Sequence, residues 1–188
     1  MKEIIQQLDF SLLYSLRNAI QCPFLDFLMP KITMFGNGGC VWLAAACLLL
    51  LQPKHRRTGI LLLVGLAAGV LIGNVVMKPL FARPRPCWID TTVEMLVAVP
   101  RDFSFPSGHT LSSVIAATIL SLAEPRFAIV AIPLAALIAL SRLYLFVHYP
   151  TDILASVVIG IVVGVLVWKY GGLLLHPAEC MLRHQRES

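Results

Sequence analysis

Charge is scarce in this chain: 13% of its 188 residues are Asp, Glu, Lys or Arg, against 58% hydrophobic. That balance excludes an ordinary soluble domain. The five cysteines, Cys22, Cys40, Cys47, Cys87 and Cys180, form no C-x-x-C pair, which argues against a thiolate metal site or a disulfide framework. They are expected to pack as small apolar groups. There is no internal repeat, low-complexity tract or flexible linker, so residues 1–188 are expected to form one domain. The N-terminus carries Glu3 and Asp9 among its apolar residues and shows no small-residue cleavage site after a compact apolar core, so a removed signal peptide is not expected. The formal charge of +5 is dispersed over short loops rather than gathered in a stripe, which weighs against nucleic acid as a partner.

The chain is instead a series of long apolar blocks, and they predict an all-α, polytopic transmembrane helical bundle. Five spans are read at about 38–52, 58–77, 109–123, 127–146 and 152–171, the first lengthened by borrowing residues from Ile32 onward. Residues 4–20 alternate apolar and polar at helical spacing, as an amphipathic helix in the interface or a sixth span, and Pro23 and Pro30 are expected to break the helix beyond it.

Three polar blocks interrupt the apolar chain: Lys78 with Arg85-Pro86, then Pro106-Ser107-Gly108-His109, then Arg142 with His148 and Asp152. Because alternate connections lie on the same side of a membrane, all three should emerge on one face. The opposite face receives Lys54, Arg56, Arg57, Arg126, Lys169, Arg183 and Arg186, which the positive-inside rule assigns to the cytoplasm. The polar blocks are therefore expected to face outward.

Their chemistry is that of a bound phosphate. Lys78 and Arg85, on a proline-stiffened segment, read alone as snorkelling cations at a helix end, but together with the other blocks they suit an anion. Ser107 alone reads as a helix N-cap. With Gly108 beside it, the first free amides of the helix would point at an anion, and His109 is placed to protonate a leaving oxygen. Arg142, near the end of an apolar helix, needs an anion or carboxylate to compensate it. Asp152, four residues beyond His148, can accept a proton from one ring nitrogen and leave the other free to attack. Asp90, Glu94 and Asp102 lack the spacing of a metal-ligand set and read as loop charges or lid contacts, so neither metal nor cofactor is expected.

K-x6-R-P at 78–86, P-S-G-H at 106–109 and S-R-x5-H-x3-D at 141–152 resemble, in order, the three signatures of the type 2 phosphatidic acid phosphatase superfamily. The resemblance covers about residues 58–171. Arg83-Pro84 and Arg85-Pro86 both offer Arg-Pro, but only Arg85 leaves six residues after Lys78, so Arg85 is assigned and Arg83 held in reserve. The resemblance implies that His148 attacks phosphorus, His109 protonates the leaving oxygen and water hydrolyses the phosphohistidine. It further implies that Asp152 orients His148, while Lys78, Arg85, Ser107, Gly108 and Arg142 bind the phosphoryl oxygens. It implies an enzyme of a bacterial cytoplasmic membrane, acting on a lipid phosphate or diphosphate held in the bilayer. Undecaprenyl diphosphate is the first expectation, with phosphatidylglycerophosphate or phosphatidate the alternative. A non-enzymatic transporter or scaffold for anionic lipids would use the cations but has no use for two histidines with a carboxylate.

Overall fold

The computed structural model describes the backbone of residues 2–184 and the side chains of residues 3–171. The side chains of Cys180 and Arg183, and all of Arg186, lie outside the described residues. Among those described there is no strand; the long apolar runs are helices, the form in which each segment satisfies its own backbone in hydrocarbon.

Helix α1 (Lys2–Ile20) is followed by α2 (Pro23–Gly36) and α3 (Cys40–Leu50). Pro23 occupies a first-turn position, where no amide is needed, and Pro30 lies inside α2 without ending it. The expected break at Pro30 is thus corrected, since a helix gives up one backbone bond to a proline and continues. The break falls instead at Gly38 and Gly39, both with positive φ (58° and 69°), a conformation that glycine adopts without steric cost. The first apolar run accordingly spans Pro23–Leu50 rather than beginning near residue 38.

The next run, Pro53–Ile89, contains α4 (Arg56–Gly69), a π-helical stretch Val70–Met77, and the short helices α5 (Lys78–Phe81) and α6 (Pro86–Ile89). A loop then leads to α7 (Gly108–Ala123), α8 (Pro125–Tyr144) and α9 (Pro150–His184). Four runs are long and apolar enough to cross a membrane: Pro23–Leu50, Pro53–Ile89, Pro125–Tyr144 and Pro150–Gly171. Helix α7 is apolar but shorter, at 16 residues, and α1 is not one of the four. The chain is a multi-pass membrane protein.

Helix α7 is the hub, packed by α4, α8 and α9. Its contact with α9 is made close by a G-x-x-x-G pair, Gly160 and Gly164: a Cβ at Gly160 would lie 2.8 Å from Val114 Cβ, and one at Gly164 2.7 Å from Thr118 Cβ. Small residues at such a crossing let two backbones approach. On another side, Trp42, Leu62, Ala116, Ala135 and Ile138 form the core joining α3, α4, α7 and α8, and Trp42 Nε1 donates to Ser113 Oγ at 2.9 Å. Outward-facing Ile129, Leu154 and Val158 are exposed, as expected of residues that meet lipid tails. The same reason corrects the expectation for the cysteines. Only Cys87 of the described four is buried, while Cys22, Cys40 and Cys47 lie on the outer surface, where hydrocarbon receives a thiol as well as a core does.

These packings gather Lys54, His55, Glu124 and Arg126 at one end of the bundle, with Lys54 Nζ 2.9 Å from Glu124. The starts of α7 and α9 and the end of α8 meet at the other end. There Leu13, Met29, Tyr144, Phe146 and Tyr149 form a second apolar cluster, which holds Phe146 at φ +58°. This turn, uncommon for a bulky residue, brings the chain from α8 back towards α9 and sets the position of His148.

Candidate active site

All eight expected site residues come together at that end. The π-helical stretch before Lys78 is wider than an α-helix and so rotates Lys78 and the residues beyond it about the helix axis. Lys78 is buried, and its Nζ stands 4.0 Å from where a Cβ on Gly108 would be. Arg85, in extended conformation ahead of α6, is 2% exposed. Arg142 closes the last turn of α8, His109 lies in the first turn of α7 and Asp152 in the first turn of α9. Lys78, Arg85, Gly108, His109, Arg142 and His148 line one cavity of about 600 Å³, within the usual range of small-molecule sites. Pro30, Met34, Leu66, Val70, Val97 and Val99 supply its apolar wall.

His148 is almost fully buried. Arg85 Nη1, which also donates to the Val147 carbonyl at 2.7 Å, lies 3.1 Å from His148 Nε2. A guanidinium can only donate, so Nε2 is the unprotonated nitrogen and Nδ1 carries the hydrogen. Burial pushes the His148 pKa down to about 3 against the opposing pull of Asp152, with Arg85 and Arg142 adding to the depression. The ring is therefore neutral at pH 7, and its Nε2 lone pair accepts from Arg85 Nη1 on the cavity wall.

The link from Nδ1 to Asp152 differs from the expected direct bond. Asp152 Oδ2 is 3.6 Å away, beyond hydrogen-bonding distance. Ser104 stands between them, its hydroxyl donating to Asp152 Oδ2 at 2.5 Å and lying 3.4 Å from Nδ1. The Tyr149 amide also donates to Oδ2, at 3.0 Å.

Arg142 Nη1 donates to Thr33 Oγ1 at 2.5 Å. Its buried Nε has no partner among the described residues, and such a donor on a cavity wall favours an anion. His109 Nε2 is 2.8 Å from Asn37 Oδ1. Its ring lies so close to α2 that a Cβ on Gly36 would be 2.5 Å from His109 Cδ2. Ser107 is buried and caps α7, its hydroxyl accepting from the Thr110 amide at 3.4 Å and from the Thr110 hydroxyl at 3.0 Å. It does not line the cavity; the Gly108 backbone does.

Arg83 is no part of the cavity wall. It pairs with Asp152 at 2.5 Å and with Asp9 at 2.6 Å. Asp102, read from sequence as a loop charge or lid contact, joins Lys78 and accepts from Arg85 Nη2 at 2.7 Å, while its carbonyl accepts from Arg85 Nε at 2.7 Å. Partial burial works against its charge, but the Lys78 and Arg85 contacts outweigh this and hold its pKa down at about 2. Asp90 accepts from Tyr14 and Thr92 at the surface.

Sequence reasoning missed Ser104, Asn37, Thr33 and Asp9. Only Asp9 left a usable signal, because it falls in phase with Leu13 on the buried stripe of α1, where a carboxylate needs a partner.

Residues 57–174 match the PAP2 superfamily. The chain belongs to that superfamily. This PAP2 protein is 32% identical over 157 residues to an undecaprenyl-diphosphatase of Sulfolobus acidocaldarius, covering 82% of this chain and 75% of the relative. Among solved structures it resembles Aquifex aeolicus LpxE, with a TM-score of 0.76, 28% identity and coverage of 87% of this chain and 96% of that one. It also resembles a PAP2-type phosphatidylglycerolphosphate phosphatase from Bacillus subtilis, with a TM-score of 0.72, 26% identity and coverage of 90% and 87%.

Proposed function

We propose that this PAP2 lipid phosphatase hydrolyses undecaprenyl diphosphate or a closely similar polyprenyl diphosphate through a phosphohistidine on His148, without a metal ion. The observation that carries the reading is the neutral His148 on the wall of a cavity lined by Lys78, Arg85 and Arg142, with its Nε2 held by Arg85 Nη1, itself a donor for a phosphoryl oxygen. A set of fixed cations with one neutral nucleophile serves phosphoryl transfer; a site that only binds anions has no need of the nucleophile.

In the first step Arg85 Nη1 passes from Nε2 to a phosphoryl oxygen, and the freed Nε2 lone pair attacks phosphorus as the bond to the leaving oxygen breaks. The three cations and the Gly108 amide hold the non-bridging oxygens, where charge develops in the transition state. His109 gives its proton to the leaving oxygen, then takes one from the water that cleaves the N–P bond and releases phosphate. Asp152, acting through Ser104 and the Nδ1 hydrogen, stabilises the positive charge that the ring gains on phosphorylation.

The apolar wall includes Met34 of α2 and Val70 of the π-helical stretch, both exposed on the outer surface, which suits a phosphate on a hydrocarbon tail. The name of the Sulfolobus relative favours a polyprenyl diphosphate; the Bacillus structure favours a glycerolipid phosphate as the second reading. The basic end around Lys54 and Arg126 supports a cytoplasmic placement of that end and an outward-facing site.

The test is phosphate release in EDTA by detergent-purified protein and its His148→Ala variant, with undecaprenyl diphosphate, phosphatidylglycerophosphate and phosphatidate compared. Preference for the polyprenyl substrate is expected, with loss of roughly ten-thousandfold or more in the variant. A preference for a glycerolipid overturns the substrate, a strict metal requirement overturns the mechanism, and activity retained by His148→Ala overturns the nucleophile.

A further inference from the structure

We infer that Asp9, on the N-terminal helix and outside the residues matched to the superfamily, is a positioning residue for catalysis, acting through Arg83 on the carboxylate that supports His148. The inference rests on the phosphohistidine reading above.

Arg83 holds Asp152 by two routes. Its Nη1 donates to Asp152 Oδ1 at 2.5 Å. Its backbone carbonyl accepts from the Ser104 amide at 2.8 Å, fixing the residue whose hydroxyl donates to Asp152 Oδ2. One arginine thus bears on both carboxylate oxygens, beside the Tyr149 amide on Oδ2, and so on the distance to His148 Nδ1.

Arg83 is itself held in part by α1. Its Nη2 donates to Asp9 Oδ2 at 2.6 Å, and its guanidinium stacks over the Tyr149 ring at 4.0 Å. Asp9 is 1% exposed. It also accepts from the Thr151 amide at 3.0 Å and the Thr151 hydroxyl at 2.6 Å, while that hydroxyl accepts from Arg83 Nη1 at 2.8 Å. Helix α1 is thereby tied to the residue that immediately precedes Asp152.

The charges explain why a carboxylate is needed at position 9. One guanidinium is shared between two buried carboxylates, so Asp152 retains part of its negative charge for the His148 ring. Without the charge of Asp9, Arg83 falls entirely to Asp152, drawing it towards Oδ1 and away from Nδ1. Without the Arg83 side chain, two buried carboxylates repel each other, and Asp152 Oδ1 loses its donor. Either change moves Asp152, while Lys78, Arg85 and Arg142, which hold the phosphate, keep their places.

The experiment compares full-length wild type with Asp9→Asn, Asp9→Glu, Arg83→Lys, Arg83→Gln and the Asp9→Asn/Arg83→Gln double variant. Folded sites are counted by vanadate binding, and kcat, KM and the single-turnover rate of acid-labile phosphoenzyme formation are measured per site. A displacement of this kind costs roughly ten- to hundredfold in rate. Asp9→Asn should lose that much in kcat and phosphoenzyme formation, with KM and vanadate affinity within about twofold of wild type. Asp9→Glu should fall between the two and serves as the readout if Asp9→Asn does not fold. Arg83→Lys should be faster than Arg83→Gln, and the double variant no slower than Arg83→Gln, because Asp9 acts through Arg83. An unchanged rate per vanadate site in Asp9→Asn, or parallel losses in KM and vanadate affinity, overturns the inference while leaving the phosphohistidine reading intact. Absence of phosphoenzyme in wild type overturns that reading and the inference with it.

Discussion

Replacing Asp102 with Asn tests whether this carboxylate competes with the substrate for its own cations. Asp102 pairs with Lys78 and accepts from Arg85 Nη2 at 2.7 Å, so an incoming phosphate must displace it or share both partners. The two contacts are charge-assisted, but the side chain is 53% exposed. Screening therefore reduces their combined worth, relative to an amide in the same place, to about 1 kcal/mol. That corresponds to roughly a fivefold change in affinity, and the inhibition constants of inorganic phosphate and vanadate for Asp102→Asn should fall by about that factor. The contact from the Asp102 carbonyl to Arg85 Nε is untouched by the change, so Arg85 remains anchored. The pH dependence has a definite sign: a carboxylate whose pKa is lowered to about 2 keeps its contacts above the ordinary carboxylate range and loses them only as pH falls through about 2. The ratio of the two proteins' inhibition constants should therefore be the same at pH 5 and pH 8. A rise in the inhibition constants on substitution would refute the argument, because it would mean that Asp102 organises Lys78 and Arg85 for the phosphate instead of competing with it.

His109→Ala should cost far more with a lipid diphosphate than with an activated aryl phosphate, whose leaving oxygen needs little protonation; equal losses in kcat on the two substrates would remove His109 as the acid. Gly164→Val places a branched side chain where a Cβ already meets Thr118 Cβ at 2.7 Å, and should destabilise by about 1–3 kcal/mol, seen as a lower melting temperature in detergent together with reduced activity. His148 is held neutral down to about pH 3 from an ordinary value of 6.5. Its contribution to stability is thus complete above pH 6.5 and is lost as pH falls towards 3, at up to about 1.4 kcal/mol per pH unit. Melting curves of wild type should drop more steeply than those of His148→Asn between pH 6.5 and 4.

The sequence by itself determined the helical membrane bundle, because runs such as those ending at Lys78 and beginning at Asp152 have no stable alternative in a bilayer. It also pointed to the residues that line the cavity, since Lys78, Arg85, His109, Arg142 and His148 are polar residues that an apolar chain carries at a cost. The alternation of spans was enough to bring them to one end. The tertiary structure alone decided what supports those groups. Ser104 between His148 and Asp152, Thr33 on Arg142 and Asn37 on His109 are partners separated by many residues and of types common enough to pass unremarked in sequence, while Asp9 showed in sequence that it needs a partner but not that the partner is Arg83. The same limit explains Arg83 and Asp102. Both are charged residues near the signatures, and only packing, which sets where a guanidinium or carboxylate ends up relative to the cavity, makes one of them a partner of Asp152 behind His148 and the other a partner of Lys78 and Arg85 in front.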